Sequence, residues 1–253
     1  MGKLALITGA TAGIGKAAAF KFAENGWDLI ITGRRKDRLS ALETELKQFN
    51  IKVLSLNFDV RNKEEVESHL SELTVEFSEV DLLLNNAGLA AGFGTIDQGN
   101  TDDWDQMIDT NVKGLLYVSR QILPKMKERK SGHVINIGST AGKETYLGGN
   151  VYCATKHAVD SLTKAMRIDL LPFGIKVTGV CPGAAETEFS LVRYKGDAEK
   201  AKSVYNGYTP MTPEHIADVI WYAANTPPNL CLNDIVLTSL AQANSFYVNR
   251  ESV

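Results

Sequence analysis

KLALITGATAGIGKAAAFKFAEN, residues 3–25, carries the reading that decides the fold. Lys3 to Thr8 is an apolar run of strand length, Gly9 to Gly15 is a glycine-rich turn, and Lys16 to Asn25 reads as a helix. Glycines permit a tight turn and close backbone approach, and a helix N-terminus presents free N–H groups to an anion. Strand, turn and helix in this order predict a seat for the pyrophosphate of a dinucleotide, with Gly9, Thr11, Gly13, Ile14 and Gly15 as its contacts. The spacing is T-G-x-x-x-G-x-G rather than G-x-G-x-x-G, so the turn alone is a weak signal.

Beyond residue 25, further strand-like runs occur at Leu29–Thr32, Val53–Phe58, Leu82–Leu84, Val134–Ile137, Lys176–Cys181 and Ile235–Thr238, with helical stretches between them. This alternation predicts an α/β fold: a single-domain, doubly wound Rossmann fold with a mainly seven-stranded parallel sheet. One domain over 1–253 is expected, with 1–150 mainly the cofactor half and 151–253 holding the catalytic helix, a lid and the substrate region. Ligands of such sheets collect at the carboxyl ends of the strands, where Gly9, Asn86, Ser139 and Pro182 fall.

The second signal is chemical. Tyr152 and Lys156 stand four residues apart in VYCATKHAVDSLTKAMRIDL, thirteen residues after Ser139. Helical spacing i, i+4 puts both on one face, so the ammonium is expected beneath the phenol. A cation at ~4 Å in an effective dielectric of ~20 offers about 4 kcal/mol, or roughly three pK units of phenol acidification. That suits a general acid/base. Y-x-x-x-K alone recurs by chance on solvated helices, and only its pairing with the glycine turn gives it weight.

Taken together, Thr8 to Gly15, Asn85-Asn-Ala-Gly88, Asn111, Ser139, Tyr152, Lys156 and Pro182-Gly183 resemble, in order and over almost the whole chain, the short-chain dehydrogenase/reductase family. The resemblance implies that Tyr152 exchanges a proton with the substrate oxygen, that Ser139 steadies that oxygen, and that Lys156 also binds ribose hydroxyls. It implies that Asn111 holds a water linking Lys156 to solvent. Asp59 and Val60 resemble the adenine clamp, and Asn86 belongs beside the adenine ribose. Pro182, Gly183 and Thr187 resemble the stretch over the nicotinamide, expected as a mobile lid. The resemblance also implies that the long helices Asp102–Arg129 and Val151–Leu171 pair across subunits in a dimer or tetramer, with a homotetramer expected, the plain alternative being that they only cover the sheet.

An acidic residue at the end of the second strand would bind an unphosphorylated ribose, and none stands there. Arg34 and Arg35 do, and guanidinium forks match a 2′-phosphate. NADP is the expected cofactor.

Composition excludes little else. A formal net charge of −3 without a basic run argues against nucleic acid or an anionic membrane as partner. Cys153, Cys181 and Cys231 and the four scattered histidines have no ligand spacing, so no metal site or disulfide framework is expected. The start carries no signal-peptide pattern and no apolar run reaches membrane length, so a cytoplasmic setting is expected.

A narrower resemblance lies in Thr187 to Gly196, Gly33 to Arg35 and Ile137 to Gly142, which are similar to the NADP-dependent 3-hydroxy acid dehydrogenases that oxidise serine or allo-threonine. Ala185 departs from the branched residue usual there, which bears on lid packing. A small hydroxy acid needs a cationic partner, and Arg193 is the nearest arginine after the lid motif, set against an exposed or phosphate-contacting role. A broad carbonyl or 3-oxoacyl reductase is the competing enzyme reading, and a non-catalytic NADP sensor the competing reading of another class.

Overall fold

The structure, a computed structural model, describes residues 2–250. Seven strands, β1 (Leu4–Ile7), β2 (Asp28–Gly33), β3 (Val53–Asn57), β4 (Leu82–Asn85), β5 (His133–Ile137), β6 (Lys176–Pro182) and β7 (Asp234–Leu237), form one sheet in the order β3-β2-β1-β4-β5-β6-β7. Every pairing is parallel; Leu6 of β1, for example, lies between Ile30 and Leu83. The seven expected runs are these strands, with no end displaced by more than one residue.

Residues alternate across the sheet, as strand geometry requires. Ala5 and Ile7 pack against α1 (Gly13–Glu24), α2 (Lys36–Lys47) and α9 (Pro213–Ala224) through Phe22, Leu42 and Ile220. Leu4 and Leu6 face the other layer, where α3 (Lys63–Ser71), α5 (Leu115–Arg129) and α6 (Asn150–Leu170) supply Leu70, Ile122 and Val159. Both faces are covered, so β1 is apolar throughout rather than alternating with polar residues. Strand order reverses between β1 and β4, the switch point at which ligands of such sheets collect.

Two elements depart from expectation. The helix expected over Asp102–Arg129 is α4 (Thr101–Ile108) and α5 joined by a π turn, Asp109–Gly114. Asn111 lies in that turn and its side chain is tied to Leu89 of the neighbouring loop, while a Cβ on Gly114 would meet Val60 Cγ2 at 2.8 Å. Close packing on two sides fits the wider turn, and π turns of this kind concentrate at functional sites. The second is the stretch expected as a mobile lid, which is built from short helices. It contains α7 (Glu188–Arg193), whose first turn is capped by Thr187 Oγ1 accepting from Phe189 N at 3.1 Å, and α8 (Ala198–Ser203). Ala185 meets Met211 in an isolated parallel bridge, and its carbonyl accepts from the Tyr205 hydroxyl at 2.9 Å. Small size there admits this close packing.

Candidate active site

The glycine turn leaves β1 with left-handed backbone at Gly9 and Gly13 (φ +66° and +52°). A Cβ on Gly9 would lie 2.9 Å from Ala87 Cα, and one on Gly15 would lie 2.4 Å from Asn86 Nδ2 and 2.5 Å from the Gly9 carbonyl. Gly15 therefore lets α1 approach the β1 and β4 loops. Asn86 fastens those loops together, donating from Nδ2 to the carbonyls of Thr8 (2.9 Å) and Gly9 (3.2 Å). Ala12 at the head of α1 offers no side-chain cap, and no acidic residue occupies the first turn. The free N–H groups there suit an incoming phosphate, so the residues present fit a dinucleotide.

A cleft of about 540 Å³ runs from this turn to α6. All of the predicted site residues line it except Gly15, which lies behind the turn, and Asn111. Pro182, Gly183 and Thr187 form one wall, with the Thr187 methyl 3.4 Å from where a Cβ on Gly13 would stand. At the β2 end, Arg34 lies 3.6 Å from Asp59, which is held mainly by Arg61. Arg35 donates from Nε and Nη2 to Thr11 Oγ1 (3.3 and 3.0 Å) and from Nη1 to Glu188 (2.8 Å). Ion pairing to Arg61 and Arg34 overcomes partial burial and holds the Asp59 carboxyl below its ordinary range.

At the other end Tyr152 and Lys156 share one face of α6 and are both buried. Lys156 Nζ donates to the Ile137 carbonyl at 2.8 Å and stands 6.0 Å from the Tyr152 ring centroid. This corrects the expected acidification of the phenol by Lys156. Among protein groups alone, burial pushes the Tyr152 hydroxyl above its usual range, Tyr146 adds to the rise, and Ser139 and Arg193 oppose it. Burial lowers the Lys156 ammonium to about 8, with Cys181 opposing. Desolvation outweighs their mutual effect because the ammonium is turned to a carbonyl rather than seated under the phenol.

Ser139 Oγ accepts from the Ala141 N–H at 3.1 Å, which leaves its own proton to donate into the cleft. The Asn111 amide is spent on Leu89 O (2.8 Å) and Thr155 Oγ1 (3.0 Å), and its oxygen accepts from Leu89 N. No side-chain bond joins it to Lys156.

Arg193 forms the last wall. Its Nη1 donates to the Tyr146 hydroxyl at 2.8 Å, and its guanidinium carbon lies 5.0, 5.3 and 5.7 Å from the ring centroids of Phe93, Tyr146 and Tyr152. Nε and Nη2 have neither a protein partner nor contact with solvent. Sequence reasoning missed Phe93, Tyr146, Arg38 and Glu188. It also missed the C-terminal hairpin, whose Gln242 holds the Ala184 N–H at 2.8 Å and whose Ser245 lines the cleft. No local pattern marks these residues, because each acquires its role from a partner distant in sequence.

A glycine turn at the switch point of a doubly wound parallel sheet, facing a buried Tyr-x-x-x-Lys pair and a serine across one cleft, defines a dinucleotide-dependent oxidoreductase. The chain belongs to the short chain dehydrogenase family, whose sequence model matches residues 3–196. It is 45% identical over 241 residues to the NADP-dependent 3-hydroxy acid dehydrogenase of Salmonella typhi, covering 95% of this chain and 96% of that one. It is 42% identical over 253 residues to sulfoacetaldehyde reductase 2 of Chromohalobacter salexigens, covering 99% and 100%. Among solved structures, the closed form of a serine dehydrogenase complexed with NADP+ superimposes with a TM-score of 0.91 at 42% identity, covering 96% and 97%.

Proposed function

We propose that this protein interconverts a small 3-hydroxy acid, of the class of serine, allo-threonine or 3-hydroxypropionate, and the corresponding 3-oxo acid. The enzyme is an NADP-dependent oxidoreductase acting on CH–OH groups, and NADP supplies or accepts the hydride when bound. The observation that carries the substrate reading is Arg193: a guanidinium with two unpartnered nitrogens, set against the ring of the candidate acid. A sheltered cation with unsatisfied donors is costly unless an anion completes it. The names of the relatives support this, since 3-hydroxy acids and sulfoacetaldehyde both carry an anion one carbon from the reacting carbon.

In this reading Tyr152 delivers its proton to the carbonyl oxygen during reduction and recovers it during oxidation. Its raised pKa keeps it protonated in the resting protein. Ser139 donates to the same oxygen, and the Lys156 ammonium stabilises negative charge developing on it. Asn111 acts on this arrangement through its position, fixing the Leu89 loop beside Thr155 of α6. Arg34 and Arg35 serve the 2′-phosphate. Assembly as a homotetramer goes with the family resemblance, supported by exposed Leu116 on α5 and Ile168 on α6, and is read by light scattering on the eluted protein. A cytoplasmic setting goes with it; among the described residues no helix is long and apolar enough to cross a membrane.

The test is steady-state kinetics of wild type and Arg193→Gln with NADP on L-serine, 3-hydroxypropionate, 2-hydroxyethanesulfonate and an uncharged secondary alcohol. The expected result is a rise in KM of about 10²-fold for the anionic substrates and little change for the alcohol. Equal losses for all four would remove the anion assignment and leave a broad carbonyl reductase, and NADP binding without turnover of any would leave the sensor reading.

A further inference from the structure

Glu188, the first residue of α7, reaches back across the mouth of the cleft. Its Oε2 accepts from Arg35 Nη1 at 2.8 Å and its Oε1 from Arg38 Nη1 at 2.6 Å. Arg35 is bonded in turn to Thr11 of the glycine turn, and Arg38 belongs to the first turns of α2. The far end of α7 is tied elsewhere, the Arg193 carbonyl accepting from Gly92 N at 3.0 Å. The lid thus has a main-chain tether beside the substrate and a charged one on the cofactor half, with the cleft beneath.

We propose that Glu188 is a clasp residue that holds the lid over the cofactor by pairing with Arg35 and Arg38, so that the arginines facing the 2′-phosphate also set the position of α7. The inference rests on NADP occupying the cleft. Its physical basis is an arrangement of donors. Arg35 has a guanidinium fork divided between Thr11 and Glu188, and Arg38 has donors beyond its Glu188 bond. Three guanidiniums, Arg34, Arg35 and Arg38, stand against the carboxylates of Glu188 and Asp59, so the group accepts a further anion without expelling Glu188. Release of NADP requires the Glu188 contacts to break. Glu188 touches no reacting atom in this arrangement and is a positioning residue.

The experiment uses full-length wild type, Glu188→Gln, Arg38→Gln and the double variant. Hydrogen exchange over residues 187–196 is measured without cofactor, and NADPH release is followed by stopped-flow fluorescence. Each single variant is expected to speed exchange in α7, Glu188→Gln raising the NADPH release rate about fivefold and Arg38→Gln by less because the Arg35 bond remains, with the double variant no faster than Glu188→Gln, since the Arg38 bond is one of the two that Glu188→Gln already weakens. Effects on exchange that multiply in the double variant would overturn the clasp, as would an unchanged release rate or slower release in Glu188→Gln, the last showing that Glu188 competes with the phosphate. Wild type that fails to bind NADPH at all would instead overturn the cofactor reading, which separates the two failures.

Discussion

Arg34, Arg35 and Arg38, at the β2–α2 end of the cleft, are 43–51% exposed and each meets a carboxylate, whereas Lys156 and Arg193 at the opposite end have no carboxylate partner among the described residues. The first group sits in water, where a partner is exchanged at small cost and salt screens the charge. The second is held by carbonyl, hydroxyl and ring faces in a dry setting, where every missing partner counts. A cofactor must enter and leave with each turnover, which suits screened contacts, while the reacting end needs charges already oriented.

The sharpest probe of this contrast is Tyr152→Phe. Turnover is expected to fall on the order of 10³-fold for acids and alcohols alike, with NADPH affinity unchanged by fluorescence titration. A loss confined to the acids would mean that Tyr152 serves the anion site and not proton transfer.

Lys156→Met probes what a buried cation costs. The folded ammonium titrates at about 8 against an ordinary 10.5, so between these values the unfolded chain binds more protons than the folded one. Stability from this group therefore rises with pH across that window, and the full penalty, about 3 kcal/mol, applies below pH 8. Methionine removes the charge at similar volume but loses the bond to Ile137. The variant is expected to be inactive and to have a Tm several degrees above wild type at pH 7, at roughly 2–4 °C per kcal/mol for this size, with the gap closing toward pH 10.5. Thermal melts at four pH values decide it, and a lower Tm at pH 7 would show that the carbonyl bond outweighs desolvation.

Arg35→Ala gives the smallest effect because the group is exposed. KM for NADP is expected to rise about tenfold and KM for NAD to stay level, with the difference shrinking as salt is added. Equal loss with both cofactors would place the role of Arg35 in the Thr11 bond, not in phosphate recognition.

Much of the fold was legible beforehand because its signals are local. Each strand is a stretch of only four to seven consecutive residues, and where both faces of the sheet are covered, as at β1, β4 and β5, the stretch is buried throughout. Thr212 followed by Pro213, a capping residue before proline at the first helical position, marks the start of α9 in the sequence for the same reason, whereas the reciprocal bond in which Thr212 N–H donates to His215 Nδ1 is seen only in the fold. Asn111 was placed on a helix correctly, but the π turn depends on packing against Leu89 and Val60, which no window around residue 111 contains. Likewise α7 leaves no mark in the sequence, because six residues carry too little periodicity to register and its cap is a single threonine.

By itself the sequence determined the parallel sheet, the glycine turn, and the side-by-side placement of Tyr152 and Lys156, since these follow from periods of two and 3.6 residues and from glycine's backbone freedom. Only the tertiary structure decided which way their protons are biased, because solvent access is a property of the whole assembly and outweighed a pairwise attraction estimated from spacing. It also decided that Arg35 meets Glu188, 153 positions away, and that Phe93, Tyr146 and Tyr152 converge on Arg193. Charges find partners through space, and separation along the chain carries no record of which ones.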